Sequence, residues 1–150
     1  EMSRGLGDVY KRQVLRKALN GEPLSAVADK WSMPAWVEDL CGWLRFLAYE
    51  SDASGVLHLC QSGEPVSWHG YAVTALKCAV KHGLLPSLPP VAEQKLDEQA
   101  GFRDARPRHT AMSCERLASL MKRPVRTYEE AIDLAVARYA SDSTFLSRIS

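Results

Sequence analysis

Apolar positions along the chain change period several times, and each change marks an element. Residues 56–60, VLHLC, form a short continuous apolar run closed by Ser62-Gly63-Glu64-Pro65, which predicts a buried strand and its turn. Ser67 then suits a helix N-cap. Trp68, Tyr71, Ala72, Ala75, Leu76, Ala79 and Val80 follow at three- and four-residue spacing up to a stop at Gly83. A strand feeding an amphipathic helix is half of a βαβ unit, and it needs a sheet and further helices to cover both faces.

The flanking segments supply such partners. Residues 14–19 read as the end of a helix stopped by Asn20-Gly21 and Pro23, and residues 24–28, LSAVA, as a strand. Residues 29–34 connect to a helix beginning at Pro34. Its apolar stripe is expected to be Trp36, Val37, Leu40, Cys41, Leu44, Leu47 and Ala48. Downstream, Pro89 and Pro90 exclude a central strand, while residues 91–96 suit an edge. Residues 97–108 carry little periodic apolar content and much charge, the profile of a functional loop. Ser113 is placed to cap a short helix bearing Leu117, Leu120 and Met121. Thr127 and Glu130 have the spacing of a capping box for a last helix with Ile132, Ala135, Val136 and Tyr139 inward. From Ser141 onward the composition predicts fraying. The order is α/β, mostly helical with a few short strands.

Composition narrows the function classes. The 150 residues amount to one ordinary domain, 46% hydrophobic and 25% charged. A net charge of +1 from 19 basic and 18 acidic residues gives no electrostatic footprint for nucleic acid or an anionic membrane. No apolar run approaches membrane-spanning length, and no signal segment opens the sequence. Cys41, Cys60, Cys78 and Cys114 are widely spaced, without a CxxC pair or a zinc-type histidine. They are expected to be reduced, mostly buried thiols of a cytoplasmic protein, with no metal.

Complete catalytic sets are missing from the pattern. No tyrosine is followed four positions later by lysine, and GxSxG is absent. His58 in the expected strand, His69 on a helix's polar side and His82 at a helix end read as structural. The loop Arg103-Asp104-Ala105-Arg106-Pro107-Arg108-His109 concentrates cations suited to a phosphate or diphosphate, and equally suits a solvated loop whose arginines pair with Asp97, Glu98 or Asp104. The connector Trp31-Ser32-Met33-Pro34 runs from a strand end to a helix start, where α/β sheets bind anions, although packing is its simpler role. Trp68 has a ring able to meet a base or sugar, but reads better as core.

Three stretches carry a resemblance: VLRKALNGEPLSAVADKWSMPAWVEDLCGWL, SGVLHLCQSGEPVSWHGYA and ARPRHTAMSCERL. In order and spacing they resemble the C-terminal half of dTDP-4-dehydrorhamnose reductase and related members of the extended short-chain dehydrogenase/reductase family. Residues 29–35 match an Asp-Gln-x-Gly-x-Pro-Thr stretch, with Lys30, Ser32 and Ala35 departing from it. Ser67-Trp68 matches a Thr/Ser-Trp helix start, and Arg106-Pro107 with residues 113–117 an Arg-Pro loop before a Ser/Thr-x-x-Leu helix. The resemblance implies a truncated C-terminal portion of a Rossmann-type reductase. The parent enzyme would use NAD(P), with a glycine-rich loop and a Tyr-x-x-x-Lys set upstream, to reduce a 4-keto nucleotide sugar. This chain would be its substrate-binding lobe over residues 14–140, binding no cofactor alone. Arg106 would meet the nucleotide diphosphate, and Trp31, Ser32, Met33 and Pro34 would line the cleft. It also leaves open a nucleotide-sugar epimerase, a homo-oligomer, and a non-catalytic regulatory subunit of the same fold, like that of methionine adenosyltransferase. Residues 3–13, SRGLGDVYKRQ, resemble the translation of a sequencing-library adapter, so native sequence is expected from near Val14 and the earlier residues are set apart from the fold.

Overall fold

The computed structural model describes residues 6–98 and 106–142, with side chains from Arg12 onward. Among them the order is α1 (Leu6–Leu19), β1 (Leu24–Val27), β2 (Trp31–Ser32), α2 (Val37–Tyr49), β3 (Val66–Ser67), α3 (Trp68–Lys81), β4 (Val91–Gln94), a 3-10 turn (Leu96–Glu98), β5 (His109–Thr110), α4 (Glu115–Met121) and α5 (Tyr128–Ser141). β1 and β4 form a parallel pair, Leu24 opposite Val91. β2 is the middle strand of a second sheet, antiparallel to β3 and parallel to β5. The expected α/β, mostly helical architecture is therefore present.

α3 is the centre of the main core. The Ser67 hydroxyl accepts the Gly70 N–H at 3.0 Å, which fixes its start, and Gly83 with φ +74° turns the chain away after it. Tyr71, Ala72, Ala75, Leu76 and Ala79 are buried, as their spacing predicts. The small alanines let α1, α5 and β1 pack close, so Leu15, Leu76, Ile132 and Val136 lie together almost wholly out of water. α5 is set by a complete capping box between Thr127 and Glu130. α1 contributes Val14 and Leu15 to this core. It starts at Leu6, so one helix runs unbroken through the residues set apart as adapter-like and those after Val14.

A second core joins α2 to α4 through Trp43, Leu117 and Val125. Here the expected stripe is corrected. Trp43, absent from it, is 5% exposed, whereas Val37 and Leu44 are 51% and 52% exposed. The inward row is Trp36, Leu40, Trp43 and Leu47. Burying a large indole outweighs burying the neighbouring valine and leucine row. Gln61, 1% exposed, ties this region together. Its Oε1 accepts the Trp36 N–H at 3.1 Å, and its Nε2 donates to Asp39 and to the Arg126 carbonyl, each at 3.0 Å. Arg126 also pairs with Asp39 at 2.7 Å, and the guanidiniums of Arg126 and Arg138 lie over the Trp36 ring.

The strand expected at residues 56–60 does not form. Both edges of β2, the strand it would join, are taken by β3 and β5, and Val56 is 77% exposed. The segment is instead an extended strap, with the Ser54 and Val56 carbonyls each accepting from Arg116 at 2.7 Å. Its ladder-like contact comes later, at Ser62, which bridges to Thr127. His58 is accordingly an exposed strap residue, not a strand residue. The His69 Nε2–H donates to the Val91 carbonyl at 3.1 Å, and His82 meets Asp133 at 2.9 Å, so both link elements. Ser113 caps less directly than expected: α4 begins at Glu115, whose N–H donates to the Ser113 hydroxyl at 3.2 Å. Of the thiols, Cys60 and Cys78 are buried, Cys114 is half-buried and Cys41 is exposed. The fraying expected from Ser141 falls mostly outside the described residues.

Candidate functional site

The second sheet brings the two candidate segments together. β2 and β5 run parallel with Trp31 opposite His109 and Ser32 opposite Thr110. The Trp31 N–H donates to the Arg108 carbonyl at 2.7 Å, and the Thr110 hydroxyl donates to the Trp31 carbonyl at 3.2 Å across 79 residues of sequence. Pairing is confined to two residues per strand because Met33-Pro34 leads at once toward α2 and Arg106-Pro107 precedes β5.

Side chains at the end of β1 hold the loop from beneath. Lys30 is 9% exposed, and its Nζ donates to the Pro107 carbonyl at 2.7 Å. Asp29 accepts the Leu96 N–H at 2.7 Å and pairs with Arg108, whose other nitrogen reaches Asp97 at 2.7 Å. Two carboxylates thus engage Arg108, which is the pairing expected of a loop arginine with Asp97. Arg106, two residues earlier, is exposed. Arg103, Asp104 and Ala105 lie outside the described residues.

The other candidate residues have distinct settings. Trp31 is 37% exposed, and its ring lies near that of His109, with centroids 6.4 Å apart and planes inclined by 24°. Ser32 and Pro34 are half-buried; Met33 is 9% exposed, its side chain withdrawn from solvent. Trp68 opens α3, half-buried, one residue after Ser67, the β3 residue that pairs with Trp31. Cys60 packs behind the connector, its thiol 3.4 Å from the Met112 carbonyl, and burial pushes its pKa up to about 11, with Cys114 adding to the shift. It is a thiol, not a thiolate, at neutral pH.

Exposed aromatic rings on one strand pair, with guanidinium groups in the segment leading into it, are means of binding: they suit a planar ring attached to an anion. Three contributors escape a reading of the sequence. His109 appears there only as a loop cation, Lys30 only as a departure from a motif, and Asp29 only as the first residue of that motif. A pairing across 79 residues leaves no local periodicity to detect.

Three solved structures share this fold. With dTDP-4-dehydrorhamnose reductase from Bacillus anthracis in complex with NADP, the chain shares 20% identity at a TM-score of 0.61, covering 82% of this chain and 40% of that one. With the Bordetella bronchiseptica enzyme WbmH in complex with NAD+ the values are 18% and 0.61, over 86% and 38%. With dTDP-glucose 4,6-dehydratase from Bacillus anthracis in complex with NAD they are 13% and 0.62, over 94% and 42%. These likenesses show a shared fold, and the chain spans about 40% of the length of the first of these structures. No curated protein sequence matches it. The family model described as the RmlD substrate binding domain matches residues 5–141, nearly the whole chain, and the chain therefore belongs to that family.

Proposed function

We propose that this chain grips the nucleotide diphosphate of a 4-keto nucleotide sugar, as the substrate-binding part of an NAD(P)-dependent enzyme resembling dTDP-4-dehydrorhamnose reductase. The observation that carries the reading is the β2–β5 pairing, which sets Trp31, Ser32, Met33 and Pro34 beside the segment that begins with Arg106. Membership of a substrate-binding family supports it. In this reading the Arg106 guanidinium takes the diphosphate through charge-assisted, fork-like hydrogen bonds, and the connector lines the nucleotide side of the cleft. Lys30, clamped to the Pro107 carbonyl, keeps the loop where Arg106 can act.

The nicotinamide cofactor belongs elsewhere in such an enzyme. NAD(P) loops join a strand to a helix through closely spaced glycines. Here β3 runs directly into α3 through Ser67 with Gly70 in its first turn, while Leu6 and Gly7 lie in the first turn of α1 and the sequence Gly5-Leu6-Gly7 has no third glycine in place. These residues do not fit the cofactor, so hydride transfer and carbonyl protonation fall to residues beyond this chain.

Calorimetric titration of thymidine diphosphate into the whole chain tests the reading. Saturable binding is expected, and Arg106→Ala should weaken it by about 1.5–3 kcal/mol, the worth of a hydrogen bond to a charged group. Equal affinity in the variant would remove Arg106 from the site.

A further inference from the structure

We infer that Trp31 and His109 together form a two-ring platform on which the planar base of a nucleotide lies. The inference rests on the proposed nucleotide-diphosphate reading and deepens it by naming the groups that meet the base. Residues paired across neighbouring strands present their side chains on the same face of the sheet, and alternate residues turn to the other. Trp31 and His109 are such a pair, and both are exposed. Ser32 and Thr110, the next pair, are half-buried. On the other edge of β2, buried Val66 pairs with Ser32, so the sheet shows Trp31 and His109 to solvent and turns Ser32, Thr110 and Val66 toward the protein. The two rings are held at 6.4 Å between centroids and 24° between planes, close enough for one flat heterocycle to touch both.

This arrangement is made before any ligand arrives. The Trp31 N–H to Arg108 carbonyl bond, the Thr110 hydroxyl to Trp31 carbonyl bond and the Lys30 ammonium on the Pro107 carbonyl fix both strands at the rings. Little ordering remains for binding to cost. Arg106 precedes His109 by three residues, at most ~10 Å of chain. That reach is on the scale of the ribose separating a diphosphate from its base, so one short segment can serve both ends of a nucleotide. Stacking is tolerant of base identity, since every base has a flat face.

The test compares two probes on the whole chain by calorimetry, thymidine diphosphate and inorganic pyrophosphate, which lacks a base. Trp31→Ala and His109→Ala should each lower affinity for thymidine diphosphate about 5- to 100-fold while leaving pyrophosphate affinity unchanged. Trp31→Phe should keep most of the affinity. Arg106→Ala should weaken both probes. Circular dichroism of each variant confirms folding, which an exposed ring is not needed to maintain. If both alanine variants bind thymidine diphosphate like the parent while Arg106→Ala does not, the platform is overturned and the diphosphate reading stands. If the parent binds neither probe, both fall.

Discussion

Gln61 and Lys30 show how single polar side chains set this structure. Gln61 satisfies the Trp36 N–H, the Asp39 carboxylate and the Arg126 carbonyl from a position 1% exposed. A buried partner left unpaired costs about 1–3 kcal/mol. Gln61→Leu should therefore destabilise the chain by about 2–4 kcal/mol and lower the thermal midpoint by roughly 5–15 °C. Lys30 acts differently, because the Pro107 carbonyl it releases lies at an exposed loop where water replaces the lost bond. Lys30→Met should leave the thermal midpoint nearly unchanged yet reduce pyrophosphate affinity several-fold, separating support of the loop from support of the fold. The thiols give a third readout. Burial pushes the pKa of Cys60 and of Cys78 up to about 11, with the negative charges of Cys114 and Asp133 respectively adding to it. Iodoacetamide at neutral pH should label exposed Cys41 first and reach Cys60 and Cys78 only on unfolding, as peptide mapping will show.

At the scale of elements, α3 and α5 were legible because their signals are local. In both, a cap residue and a three- and four-residue apolar spacing lie within one stretch of chain, with a terminal glycine after α3, and each is reproduced in the structure. Thr127→Ala should accordingly cost about 1 kcal/mol by breaking the capping box, and Leu76→Ala about 2–5 kcal/mol by opening a cavity where α1, α3 and α5 meet. The run at residues 56–60 misled because a strand needs a free edge as well as apolar residues, and β2 has none left. Trp43 was missed because the Trp36–Leu40–Leu47 row and the Val37–Leu44 row are equally periodic; only the position of Leu117 and Val125 decides between them. The candidate site was legible as separate residues, Trp31 to Pro34 and Arg106, but not as a place, since their meeting depends on a long-range strand register.

The link between α3 and α5 also has a pH dependence. Hydrogen bonds from Lys81, at 2.8 Å, and then from His82, at 2.9 Å, hold the Asp133 carboxyl below the ordinary carboxylate value of 3.8, and the same contact raises Lys81. A carboxyl whose folded pKa is depressed stabilises the fold above its unfolded value and loses that contribution as pH falls through the folded one. Thermal unfolding followed from pH 6 to pH 2 should show this loss below about pH 4, and Asp133→Asn should flatten the slope. Lys81 works in the opposite sense, its contribution lasting until pH rises past its elevated pKa.

The whole molecule keeps an apolar surface on α2. Val37, Leu44 and Tyr49 are all more than half exposed on a helix whose opposite row is well packed, and Cys41 lies between them. The row Val37, Cys41 and Leu44, three and four residues apart on one face, should bind a hydrophobic dye in the native state, with fluorescence falling when Leu44→Lys breaks it. On the proposed reading, in which hydride chemistry falls to other residues, the chain is expected to show no NADPH-dependent turnover by absorbance at the nicotinamide band; measurable turnover would contradict that proposal. The two small sheets, for their part, meet at a corner three residues long, from Ala28 to Lys30. Asp29 holds the Leu96 N–H that follows β4 and the Arg108 side chain that precedes β5, so it belongs to both sheets at once. An anion settling near Arg108 competes for that guanidinium and slackens or tightens Asp29's hold on Leu96. The amide of Leu96 should therefore change its deuterium uptake when the distant arginine loop is loaded, a reporter of occupancy seated where no ligand touches.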